Sequence, residues 1–382
     1  MKLAIAIVVL AARVASAQTP GGEFAQGVLE TQAPFVDLMT FGAGDMLLER
    51  YGHTAICLRY HDPRNQTICF NYGVTNFEAG SSLAWNFLRG TQRFWVEPAP
   101  FGTMFSIYQW EDRDVWRQTL PLSDPQARAI EKALWDSIDE SKRYYVYDHF
   151  FDNCSTRIRD IIDRAVGGKL AAGGDKPFPV TFRDLAIRGV AELPMLVVGL
   201  DFAMGRQADD TPTTWEAMFL PDVLRAEVAV KLDAPPELVY RRKGPAFVTT
   251  GGTRDRLPFL LFALLFATPL AIVRFAPRER RRRWLDTIAI AWATVPLALV
   301  GLLLWAAAII STIPSVRWNE LLFVFVPFDV VLPFLGETRR RRYARVRLAM
   351  VVIASLLVAV GVFHQPIWVP VVMAFLPLAL LA

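Results

Sequence analysis

The 382-residue chain is expected to fold as two dissimilar halves, a globular half mixing strands with helices and an all-helical membrane half of about five spans. Three observations lead there. An apolar leader opens the chain, and charged, aromatic and turn residues then follow in globular proportion to about Arg256. From Leu257 on, the sequence is nearly all apolar, interrupted by basic clusters. The boundaries this sets are a leader at 1–17, a soluble domain at 18–256 and a membrane domain at 257–382.

Met1-Lys2 precede an apolar run from Leu3 to Ala12, and Ala15-Ser16-Ala17 supplies the small-residue pattern of a cleavage site. The run is too short to span a bilayer, so it reads as a cleavable export signal. No cysteine follows Ala17 directly, so the mature chain is not expected to be a lipoprotein itself. The net charge of +4 averages two unlike halves and says little. More than 200 residues of soluble chain are ample for one core.

The soluble half begins its legible structure with a strand from about His53, a turn at His61-Asp62-Pro63-Arg64-Asn65, and a second strand from Thr67 to Tyr72. Residues 77–110 carry Trp85, Phe87, Phe94, Trp95, Phe101, Phe105 and Trp110, read as strands and loops covering the core or a lipid-facing groove. Arg113 to Leu120 looks extended, and Asp124 to Ile138 is an amphipathic helix opened by Ser123 or Asp124. Another helix is expected from Arg157, where Ile158, Ile161, Ile162 and Ala165 share one face, with Asp152, Asn153 and Ser155 as candidate starters. A turn-rich stretch follows Gly167-Gly168, then a helix near 181–190 and a segment at 197–221 containing Asp201, Asp209 and Asp210.

The membrane half reads as spans at 257–275, 285–310, 320–336, 346–363 and 366–382; the third and fifth are short and hold prolines, so one of them is a candidate re-entrant segment. Arg278 and Arg280 to Arg283 lie between the first two spans. Arg339 to Arg342, Arg345 and Arg347 lie between the third and fourth. Both basic clusters belong in the cytoplasm, which puts 18–256 outside it, as the leader independently requires. Arg241, Arg242 and Lys243 stand just before the first span, where they would meet phosphate headgroups or plain solvent.

Chemistry concentrates at Cys154. At a helix start the thiol meets unpaired backbone N–H groups and the positive end of the dipole, an environment that lowers its pKa, and Arg157 and Arg159 would add positive charge. If the two strands at 53–72 pair as a hairpin, Cys57 and Cys69 fall nearly opposite each other, and an oxidising compartment would let them bridge. Three cysteines then leave one over, and it is Cys154. Period-two alternation puts His53, Cys57, Cys69 and Asn71 on one face, where a histidine and an amide can act as a base and its orienting partner. His61 and His149 read as structural, and His364 falls between the last two spans. No cofactor is expected: there is no Cys/His metal spacing and no phosphate-binding glycine loop. The basic runs flank membrane spans, which removes nucleic acid as a partner.

Taken together, Gly44-Asp45, Tyr51-Gly52-His53-Thr54, Asn71-Tyr72-Gly73, Tyr145-Val146-Tyr147-Asp148, the run Asp152 to Asp160 and Met218-Phe219-Leu220-Pro221 resemble the periplasmic domain of the Lnb family of bacterial lipoprotein N-acyltransferases. The likeness covers most of 36–240, and more loosely the stretch around Thr312 to Pro327. The His-first, Cys-later order also resembles the permuted papain-like group that includes lecithin–retinol acyltransferase-like and NlpC-like proteins. That resemblance implies an α+β, permuted papain-like domain with Cys154 as nucleophile and His53 as base; Asn71 as third member comes from strand geometry. It implies an acyltransferase in the bacterial inner membrane, moving a fatty acyl chain from a lipid ester to the N-terminal amine of lipoproteins, with membrane phospholipid or diacylglyceryl lipoprotein as substrates. A thiol hydrolase acting on peptidoglycan or lipid esters, or a non-catalytic binding module, are the rival readings.

Overall fold

The computed structural model describes residues 31–46, 49–76, 79–247, 257–277 and 282–382. The leader expected at 1–17, and Arg278, Arg280 and Arg281 of the first basic cluster, lie outside them. The chain divides into two compact units. One is formed by residues up to Phe178 together with Pro212–Phe247, the other by Pro179–Thr211 together with Val248–Ala382.

In chain order the elements are β1 Phe35–Phe41, β2 His53–Arg59, β3 Ile68–Val74, α1 Ser81–Arg89, β4 Arg93–Pro100, α2 Phe101–Trp110, β5 Val115–Thr119, α3 Asp124–Ser137, β6 Tyr144–Val146 and α4 Cys154–Ala165. They continue with α5 Phe182–Arg188, α6 Pro194–Ala203, α7 Thr214–Ala217, α8 Pro221–Lys231 and β7 Glu237–Tyr240. The last stretch holds α9 Leu257–Phe275, α10 Arg283–Ile310, α11 Pro314–Arg317, α12 Glu337–Ala359 and α13 Trp368–Leu381.

The first unit is mixed α/β, built on a seven-stranded antiparallel sheet of order β6-β4-β3-β2-β1-β5-β7. The expected hairpin forms with Cys57 directly opposite Cys69, and the two are bridged. Alternation then sorts the side chains. Met39, Phe41, Ala55, Cys57 and Cys69 pack beneath Met104, Phe105 and Tyr108 of α2. The other face takes α3 and α4: Phe70 meets Trp135 edge-on at 5.1 Å, and Thr54 bonds Ser155 at 2.8 Å. The predicted amphipathic helix is α3, opened by Ser123 in a capping box with Gln126.

Two readings of this unit change. Residues 77–110 are not strands and loops: α1 and α2 flank the single strand β4. Phe101, Met104, Phe105 and Tyr108 stand at i, i+3, i+4 and i+7, a helical face whose aromatic content imitates a strand. Arg242 is not a free headgroup cation, since its guanidinium donates to the Pro245 and Asp112 carbonyls and lies over the Phe247 ring at 4.2 Å.

In the second unit, α9 and α10 are each long and apolar enough to cross a membrane. The stretch expected as the third span is not a continuous helix. It is two short 3-10 helices, Glu320–Phe323 and Pro327–Phe334, because Pro327 and Pro333 withhold the donors a regular helix needs. Irregular backbone at membrane depth requires partners from the protein itself. Arg347 supplies them: its guanidinium donates to the Val324 carbonyl at 2.8 Å and, bidentately, to Asp329 at 2.8 and 3.0 Å. Arg347 is therefore buried inside α12 rather than part of a loop, and Arg339 to Arg345 occupy the first turns of the same helix. The expected helix near 181–190 is α5, whose buried Arg183 is held by Asp209 at 2.8 Å and Asp201 at 3.3 Å.

Candidate active site

The loop before α4 is built to present one residue. Asp148 and Asp152 exchange backbone hydrogen bonds at 3.0 Å, closing the turn, and the Asp148 carboxylate accepts from the Phe150 and Phe151 amides. Asn153 then caps the helix. Its side-chain oxygen accepts from the amides of Ser155 at 2.9 Å and Thr156 at 3.0 Å, while its amide nitrogen donates to the carbonyls of His149 and Phe219. Met218-Phe219-Leu220-Pro221 thus serves the site by anchoring the cap. Cys154 is the first helical residue, and its thiol is the one free cysteine.

The sheet brings His53 to the start of β2. Gly52, in the left-handed region at φ 79°, sets the entry, and a Cβ there would meet the Phe41 carbonyl at 2.6 Å. His53 Nε2 lies 3.4 Å from the Asn71 side-chain oxygen. With an acceptor there Nε2 carries the proton, which leaves the Nδ1 lone pair open. The imidazole stacks with Phe41 and Tyr108, at centroid distances of 6.0 and 6.2 Å. Arg113, itself buried, sits over the Tyr108 ring at 4.7 Å.

Cys154 meets the sheet at the end where β2 begins and β3 bulges between Tyr72 and Val74. Gly73 occupies that bulge: a Cβ on it would stand 3.8 Å from the Cys154 Cβ and 3.9 Å from the Tyr145 hydroxyl. The amides of Thr54 and Ser155, that of Cys154 itself, and the Ser155 hydroxyl 4.0 Å away all favour a charged sulfur. Tyr108, Tyr145 and Tyr147 all lie close enough to feel charge on the thiol.

Burial outweighs the helix dipole here. Desolvation pushes the Cys154 thiol up, against the pull of those amides, so the expected lowering does not occur. Arg157 and Arg159 do not help. The first pairs with Asp152 at 2.6 Å and stacks on Tyr145, and the second binds Asp160 and the Trp215 carbonyl. His53 is held down to about 4 by burial and then by Arg113, with the Asn71 hydrogen bond pulling the other way. At neutral pH the site thus contains a neutral thiol and a neutral imidazole.

His53, Asn71 and Cys154 are brought to one end of the sheet, with His53 and Asn71 in contact. Among the described residues the thiol and the imidazole do not bond each other directly. His61 bonds the Ala33 carbonyl and His364 faces Arg206, while His149 is buried among Tyr51, Phe150 and Phe219. No metal-binding cluster of His, Cys, Asp or Glu occurs among the described residues. Sequence reasoning gave Tyr108, Tyr145 and Arg113 no place at the site, although Tyr145 lies in the motif Tyr145-Val146-Tyr147-Asp148. Only the helical spacing of Tyr108 and the alternation Tyr145-Val146-Tyr147 on an edge strand signalled inward-facing rings.

Two family models match the chain. The Lnb N-terminal periplasmic domain matches residues 30–188, and the Lnb transmembrane domain matches residues 254–382. No curated protein and no solved structure matches.

Proposed function

The chain belongs to the Lnb family, a membrane-anchored protein with a periplasmic N-terminal part, and from that membership we propose that it is a cysteine-dependent lipoprotein N-acyltransferase of the bacterial inner membrane. The observation that carries the reading is the free thiol at the first position of α4, at the end of the sheet where β2 begins with His53, whose Nε2 meets the Asn71 side-chain oxygen. A permuted papain-like arrangement would likewise start a helix with its cysteine and take its histidine from a strand.

His53 Nδ1 takes the thiol proton as Cys154 Sγ attacks the ester carbonyl of a membrane phospholipid. The tetrahedral intermediate collapses, the C–O bond breaks, and His53 returns the proton to the departing alcohol oxygen. The acyl-thioester is then attacked by the N-terminal amine of a diacylglyceryl lipoprotein; the amine loses a proton to His53, and the C–S bond breaks. A buried neutral pair suits this sequence, because general-base removal generates the thiolate only when the carbonyl is in place. Site geometry before substrate binds is commonly looser than in the reacting complex. Both substrates are lipids confined to a bilayer, so a multi-pass anchor keeps enzyme and substrates on one surface.

Mass analysis of lipoprotein N-termini tests the reading, in cells with the wild-type gene, with Cys154→Ser, and without the gene. The expected result is an N-acyl chain only with the wild type. N-termini left free in the presence of the wild type, with release of fatty acid instead, would make the protein a thiol hydrolase.

A further inference from the structure

Tyr145 is nine-tenths buried, yet its hydroxyl has no hydrogen-bond partner. An unsatisfied buried donor carries the full cost of its lost hydration, and native folds rarely leave one without a reason. The ring is firmly set: β6 pairs with β4 so that Tyr145 stands opposite Phe94, and the Arg157 guanidinium lies over its face at 3.7 Å. Arg157 is in turn fixed by two hydrogen bonds to Asp152, in the loop that presents the nucleophile. The hydroxyl therefore cannot swing away to find a partner. It points into the gap above Gly73, which the Cys154 side chain also borders. Burial drives its pKa far up, so it stays a donor at every working pH.

We infer that the Tyr145 hydroxyl is the side-chain donor of the oxyanion hole, waiting for the negative oxygen that forms when Cys154 attacks an ester carbonyl. The inference rests on the acyl-transfer reading above and adds a catalytic residue to it. When the Sγ–C bond forms, the carbonyl π pair moves onto oxygen. Tyr145 donates a hydrogen bond to that oxygen without losing its proton, and the pair returns when the C–O bond breaks. The same donor serves the second half-reaction, in which the amine attacks the thioester and the C–S bond breaks. A fixed donor in a dry site needs no reorganisation at the moment charge appears, the condition under which such groups act most strongly.

The test is Tyr145→Phe in the full-length membrane protein, which keeps the ring and its contact with Arg157. Three quantities are read: the thermal midpoint, the rate of Cys154 alkylation by iodoacetamide, and acyl-enzyme formation from a phospholipid. Alkylation displaces iodide and forms no oxyanion, so it isolates thiol reactivity. The expected result is an unchanged or higher midpoint, unchanged alkylation, and acyl-enzyme formation slower by about 10²-fold in the rate constant with little change in half-saturation. Unchanged acyl-enzyme formation overturns the assignment. A parallel fall in alkylation also overturns it, because Tyr145 would then act on the thiol. A lower midpoint with both rates reduced together assigns the residue to packing and overturns it as well. Acyl-enzyme formation that persists in Cys154→Ser would instead break the nucleophile reading beneath the inference.

Discussion

At the scale of single residues, the site is a set of opposed effects in which burial wins. Removing the base should show it: His53→Ala is expected to slow acyl transfer by about 10²–10⁴-fold with the fold intact, measured as acyl-enzyme formation against the thermal midpoint. Near-normal transfer would exclude His53. Asn71 acts through His53, so its signature is a shift rather than a loss. Its hydrogen bond raises the His53 pKa, and Asn71→Ala should therefore move the acid limb of the pH–rate profile to lower pH. His53 and His149 are both held near 4, below their ordinary 6.5, mainly by burial. Their folded forms bind fewer protons than the unfolded chain. The stability they contribute is complete above about 6.5 and is lost as pH falls towards 4, which urea titrations across that range will register. The placement of Cys154 at a helix start, and of His53 and Asn71 on one face of neighbouring strands, could be read from the chain, because helix capping and strand alternation act over a few residues. The state of the thiol could not. Its desolvation comes from burial, in a site that Tyr108, Tyr145 and Tyr147 also border, and Tyr108 stands on a helix in a stretch that reads as strands and loops.

Elements were legible in proportion to how local their signals are. The β2–β3 hairpin followed from its turn residues, and its register from one cysteine pair. Strand β1 pairs with both β2 and β5 inside the sheet but left little trace, since no turn signature joins it to β2 and β5 lies far along the sequence. The α4 cap is the most heavily used local device. Asn153 satisfies two helix amides and two distant carbonyls, so Asn153→Ala should cost more than the ~1 kcal/mol of an ordinary cap and should disorder the nucleophile. Chemical denaturation together with Cys154 alkylation checks both parts. Loss of alkylation selectivity without loss of stability would show that the cap positions but does not support. In the membrane unit, Arg347 alone among the α12 arginines is enclosed. Arg347→Ala would leave the Asp329 carboxylate buried without its cation, a change of about 3–5 kcal/mol, whereas Arg341→Ala at the exposed start of the helix should be nearly silent. Equal effects in the two variants, read from detergent-solubilised thermal midpoints, would contradict this.

On the scale of the whole molecule, two units with separate cores answer to two solvents. The composition break near residue 256 announced this, and charge placement adds direction. A reporter active only in the periplasm should give signal when fused after residue 250 and none after Arg283, because the positive-inside rule predicts that the arginines between α9 and α10 stay on the cytoplasmic side. Signal at Arg283 would reverse the orientation. What the sequence concealed was the assignment of 179–211 to the second unit, where Phe202 packs against Phe259 and Phe325. That packing joins residues more than fifty positions apart, and no local period records it. The bridge between Cys57 and Cys69 has a consequence in time. Only 12 positions separate its cysteines, and export from the N-terminus, as the leader predicts, would deliver both to the periplasm before residue 154. A loop of that size closes in well under a microsecond, so the two thiols meet many times over during the seconds or longer that oxidation takes. In a chain exported in that order the cysteines would be sorted by arrival, the hairpin pair meeting each other before Cys154 is there to compete.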